Sequence, residues 1–146
     1  MTGILAWVDP QKLAEYAKAP RGWGVYVIGR PLDASKPVTA NPIYDPYVGT
    51  WPDNFQALYV GISESRGAGV RGRLSCHARR KGNKCIAARI DKGETLWFIT
   101  QSGELAHVES AMLTLKMARQ FECNIRDELK RNSLRQHRKV SAEMTE

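Results

Sequence analysis

Six side chains in this sequence have types and spacings that suit work on a phosphate. Tyr26 ends the triplet Gly24-Val25-Tyr26, and Tyr59 begins Tyr59-Val60-Gly61. Arg73 and His77 are four residues apart, so on a helix they are neighbours on one face. A guanidinium can grip a phosphate through two parallel hydrogen bonds. An imidazole can either move a proton or donate a hydrogen bond to the same group. Glu109 lies at the edge of an apolar stripe formed by Leu105, Val108, Met112 and Leu115. A carboxylate turned toward a core needs a partner. Mg²⁺, which takes hard oxygen ligands, would serve, as would an ion pair with Arg73 or a lysine. Asn124 falls at a boundary between helical segments, where its amide could cap the following helix or orient a site residue. Each residue also has an ordinary reading: tyrosines at a core edge, a solvated basic helix face, a structural ion pair, a helix cap.

The elements that must carry these residues follow from periodicity and punctuation. Val25 and Val27 alternate with Tyr26 and Ile28, which predicts a strand with the valines on one face. A second strand is predicted over 57–62 and a third over 95–100. If the first two pair, both phenols emerge on one side, and Gly61 leaves space beside the Tyr59 ring. A glycine-rich turn then leads to a helix over about 70–81, carrying Arg73 and His77. Asp9-Pro10 reads as a helix start running through Leu13 and Tyr16 to a stop before Pro20. Ser102 precedes a helix reaching about Arg119, and a basic helix is predicted over about 125–138. Five of the seven prolines lie in 30–56, so this stretch is an extended insertion. Its aromatics Tyr44, Tyr47, Trp51 and Phe55 either pack it onto the domain or stack on bases.

The chain has 146 residues, a length suited to one domain spanning 1–146. Its hydrophobic fraction of 42% supports a packed core, and a formal net charge of +7 favours polyanionic partners. Cys76, Cys85 and Cys123 are odd in number and irregular in spacing, which argues against a disulfide framework and for a reducing compartment. No basic leader precedes the short N-terminal apolar run, and no apolar segment is long enough to span a bilayer. The expectation is a soluble, cytoplasmic protein without a membrane partner. Three strands with interleaved helices predict an α+β fold.

Taken together, Gly24-Val25-Tyr26, Tyr59-Val60-Gly61, Arg73 with Leu74 and His77, then Glu109 and Asn124, resemble the GIY-YIG nuclease superfamily. Each motif is short, but five occur in the expected order between about residues 23 and 127. The resemblance implies a small three-stranded sheet flanked by helices, with the proline-rich insertion between its first two strands. It implies a metal-dependent endonuclease hydrolysing DNA phosphodiesters. Tyr26 and Tyr59 would be paired active-site phenols, Arg73 would stabilise the phosphate, and His77 would fill a position where the family carries His or Tyr. Glu109 would hold Mg²⁺ or Mn²⁺, and Asn124 would support the site. Two features depart from the family pattern. The tyrosines lie 33 residues apart, where about ten is usual, and Ile62-Ser63 stands where many members follow the glycine with lysine. A catalytically silent DNA-binding module of the same fold is the alternative. A single hydrolytic site would nick, act twice, or work as a homodimer or with a partner protein.

Overall fold

The computed structural model describes residues 7–41, 43, 50–63, 67–102 and 121–124. Four antiparallel strands form the sheet: β1 (Gln11–Lys12), β2 (Gly24–Pro31), β3 (Phe55–Ser63) and β4 (Trp97–Ser102), in the order β1-β4-β2-β3. Two helices, α1 (Gly69–Ala78) and α2 (Lys84–Asp91), and a 3-10 helix over Leu13–Lys18 complete an α+β arrangement. The three expected strands are present, but the sheet has a fourth. Asp9-Pro10 does not start a helix. Residues 8–13 instead satisfy the free edge of β4, with Val8 N–H donating to Thr100 O (3.0 Å) and Leu13 N–H to Leu96 O (2.8 Å). An unpaired strand edge outweighs a local capping signature, and the helix is reduced to a short 3-10 turn that ends before Pro20. The expected helix over 70–81 stops at Ala78, and α2 is an element the periodicity did not announce. The helices expected from Ser102 to Arg119 and over 125–138 lie outside the described residues.

Strand alternation sorts the core into two layers. Tyr26, Ile28, Leu58 and Tyr59 face the helices and pack with Val70, Leu74 and Ile86. Val25, Val27, Val60 and Ile99 face the other way. The register passes from Ile28↔Tyr59 to Gly29↔Ala57, so Leu58 is an extra residue on β3. This bulge lets the adjacent Leu58 and Tyr59 both join the helix-side cluster, which strict alternation forbids.

The proline-rich insertion covers the second face. β2 and β3 pair as far as Pro31↔Phe55. Asn54, in a left-handed conformation (φ 57°), donates through Nδ2 to the carbonyls of Asp33, Lys36 and Pro37 and accepts the Asp33 N–H at Oδ1. Thr39 bridges Asp53. Val38 and Phe55 are buried against the valine face, and Trp51 lies between Trp7 (centroids 6.0 Å apart) and Phe55 (5.5 Å). Trp51 and Phe55 therefore pack the core. Tyr44 and Tyr47 lie outside the described residues. Phe55→Ala is expected to cost about 3–5 kcal/mol in a urea titration, the usual loss for a buried ring. A loss below 1 kcal/mol would mean that the insertion does not stabilise this face.

Candidate active site

The start of α1 is fixed by backbone rather than by a capping side chain. Val70 N–H donates to Gly22 O (3.1 Å) and Arg71 N–H to Pro20 O (3.0 Å), while Arg71 Nε reaches Ala19 O (2.7 Å). Carbonyls just upstream of β2 thus occupy N–H groups that a helix start leaves without intrahelical partners. Gly69 adopts φ 54°, and a Cβ there would collide with Gly22 backbone. With its start pinned, α1 presents Val70, Leu74 and His77 to the sheet, and Arg73 lies on the flank of that stripe. The helix ends in a Schellman turn: Lys81 N–H donates to Cys76 O (2.8 Å), Arg80 N–H to His77 O (3.1 Å), and Arg80 has φ 62°. This reversal brings Gly82 and Asn83 back beneath His77.

Tyr26, Tyr59, Arg73 and His77 converge. The Tyr26 hydroxyl is 3.0 Å from His77 Nε2. Ring centroids lie 5.6 Å apart for Tyr26 and His77, 5.1 Å for Tyr59 and His77, and 6.2 Å for the two tyrosines. Tyr26 is opposite Gly61 in the sheet register, and a Cβ at Gly61 would strike the Tyr26 hydroxyl. The space left by this glycine therefore belongs to Tyr26, not to Tyr59 as the sequence suggested. Tyr26 and His77 are buried, whereas Arg73 is exposed and can meet a solvent-borne anion. Burial, reinforced by the neighbouring Tyr59 phenol, pushes the Tyr26 phenol well above its ordinary range. Arg73, which hydrogen-bonds the same hydroxyl, pulls it down without reversing the shift. A charge forming on Tyr26 would raise Arg73 further, and the guanidinium is cationic at any working pH.

Asn124 is brought to the site's edge by a different route. Its Oδ1 accepts Val60 N–H (2.7 Å) and its Nδ2 donates to Val60 O (3.0 Å). The amide thus pairs with β3 as another strand would, one residue from Tyr59, and it does not join the Tyr26–His77 cluster directly. Residues 121–124 wrap this strand edge. Phe121 packs against the insertion-side cluster, and Cys123 is buried in the helix-side one. Glu122 pairs with Arg89, which also holds Glu94 (3.1 Å). Burial works against the Glu94 carboxylate, but hydrogen bonds from Arg30 and Arg89 outweigh it and hold the group below its ordinary range.

Cys123 forms a disulfide with Cys85 of α2, 38 residues away, and Cys76 is free. The expectation that no cysteines pair is thus corrected: folding brings together two thiols whose spacing gave no hint of it. Glu109 lies outside the described residues, which among themselves contain no cluster of three or more His, Cys, Asp or Glu side chains able to hold a metal. No described helix is long and apolar enough to cross a membrane. Asn83, whose backbone N–H donates to His77 Nδ1 (3.1 Å), is a contact of the cluster that sequence reasoning missed. Its one visible signal was an Asn placed to cap a short helix, here by accepting Ile86 N–H at 3.0 Å. Compared with family models, curated proteins and solved structures, the chain matches none.

The disulfide closes a long loop, and a cross-link of this span stabilises by about 2–4 kcal/mol. Reduction, or Cys85→Ser, should lower the melting temperature, and reductant should leave the Cys85→Ser variant unaffected. An equal response of parent and variant to reductant would contradict the pairing.

Proposed function

We propose that this protein is a metal-dependent DNA endonuclease of the GIY-YIG type, hydrolysing phosphodiester bonds. The observation that carries the reading is the convergence of two phenols, an imidazole and an exposed, permanently charged guanidinium from residues spread over 51 positions of sequence. Such a cluster can bind an anionic phosphate and offer proton-transfer groups beside it.

In this reading Arg73 grips the scissile phosphate and stabilises the charge that builds on it as water attacks. A phenol of the Tyr26–Tyr59 pair takes the proton of that water. The resting site does not favour phenolate at Tyr26, so added positive charge is needed to bring a phenol into the working range. Mg²⁺ or Mn²⁺ held by Glu109 would supply that charge and neutralise the leaving oxygen. Asn124 keeps β3, and with it Tyr59, in register. The net charge of +7 contributes sequence-independent affinity for DNA. The proposal keeps an intracellular, cytoplasmic setting on the ground that DNA is available there, since the Cys85–Cys123 bond withdraws the cysteine argument for a reducing compartment. Cutting of both strands is left to repeated action, a homodimer or a partner protein.

The test is incubation with plasmid, branched and single-stranded DNA in the presence of Mg²⁺ or chelator. Cleavage that chelator abolishes supports the reading. Retention of DNA without cleavage favours the silent binding module, and neither result leaves a basic protein-interaction domain. Glu109→Gln should abolish cleavage while leaving DNA binding nearly intact. Arg73→Lys should lose about 10²-fold or more in rate, because an ammonium cannot reproduce the planar fork. Near-normal turnover by either folded variant would remove that residue from the mechanism.

A further inference from the structure

His77 has both ring nitrogens engaged, and the two partners are unequal. Nε2 faces the Tyr26 hydroxyl at 3.0 Å, a group that can donate or accept. Nδ1 faces the backbone N–H of Asn83 at 3.1 Å, a group that can only donate. Nδ1 must therefore present a lone pair, and a neutral imidazole then carries its proton on Nε2. Protonating both nitrogens would set the Nδ1 proton against the Asn83 proton. With Nε2–H fixed, His77 donates to the Tyr26 oxygen.

The Asn83 N–H is itself held in place from several directions. The Schellman turn after α1 returns the chain to His77. Gly82 then passes so close to the ring that a Cβ would collide with Nδ1. Asn83 adopts an extended conformation (φ −66°, ψ 130°) as the N-cap of α2, its Oδ1 accepting Ile86 N–H at 3.0 Å. Its Nδ2 donates to Cys123 O at 3.3 Å, which ties the same residue to the segment bearing Asn124.

We infer that Gly82–Asn83 is a positioning unit that fixes His77 as the Nε2–H tautomer, so that His77 serves Tyr26 as a hydrogen-bond donor and not as the acceptor of its proton. This deepens the nuclease reading and rests on it only for the catalytic consequence. Without DNA, the unit still dictates where the imidazole proton sits.

Long-range proton–nitrogen NMR spectra of the full chain with labelled histidine, recorded near neutral pH without DNA, read this directly. His77→Gln assigns the signals. The expected result is a protonated Nε2 and a bare Nδ1 for His77. Asn83→Ser, which keeps a capping oxygen, should retain that tautomer. Gly82→Ala should mix the tautomers and lower kcat by about 10²-fold with KM for DNA unchanged, the usual cost of a displacement near 1 Å. An Nδ1–H or doubly protonated His77 in the parent protein would overturn the inference, as would a folded Gly82→Ala with parental tautomer and kcat. If Gly82→Ala does not fold, the parent spectrum decides. If no condition yields cleavage, the nuclease reading fails while the spectrum still judges the tautomer.

Discussion

A phenol buried in a protein core must find partners for its hydroxyl or lose on the order of 1–3 kcal/mol. Tyr26 has no exposure, and its hydroxyl meets His77 across the layer between sheet and helix. That hydrogen bond sets much of what surrounds it. β3 carries glycine at 61 because the hydroxyl occupies the space of a side chain. α1 must start at a fixed height for His77 to arrive over β2, and the carbonyls of Pro20 and Gly22 fix that height. The chain must then turn back at once, because the other side of His77 needs a donor, and Asn83 provides it. Arg73 neighbours His77 one turn earlier on α1, on the flank of the buried stripe of Val70, Leu74 and His77, and so lies at the border between core and solvent. A buried polar pair thus places an exposed cation at the mouth of the site.

The two faces of the sheet divide the work. The helix-side face holds the ionisable cluster, and the opposite face is covered by the insertion through Val38, Trp51 and Phe55. In this chain the insertion acts as a second packing layer, anchored by Asn54 where β3 begins. Its described aromatics are committed to that layer, which separates them from the tyrosine face by the thickness of the sheet. The long separation of the two tyrosines does not disturb their pairing, because the added residues leave and re-enter the sheet at adjacent positions, Pro31 and Phe55. Such insertions cost little beyond loop closure, which grows slowly with length.

The parts legible in the sequence were those with local causes. Alternation of Val25 and Val27 with Tyr26 and Ile28 marked β2 and its faces, and the spacing of Arg73 and His77 put them on one side of α1. What was not legible depended on partners distant in sequence. The helix read from Asp9-Pro10 gave way to pairing with β4, because a free strand edge exposes more hydrogen-bonding groups than a cap satisfies. α2 went unnoticed because it has eight residues and buries fully only Ile86. Asn124 looked like a helix cap, and only the folded edge of β3 reveals its pairing with Val60. The Cys85–Cys123 bond depends on the same wrapping of residues 121–124.

The central claim is that Tyr26, His77 and Arg73 act as one unit on a phosphodiester. A double-mutant cycle on Mg²⁺-dependent DNA cleavage, using Tyr26→Phe, His77→Gln and the pair, tests it most directly. Groups that work as a unit are strongly non-additive, so the double variant should cleave no more slowly than the worse single variant by more than about threefold. Losses that multiply would show two independent contributions, and a parent protein that cleaves no DNA would contradict the account at its root.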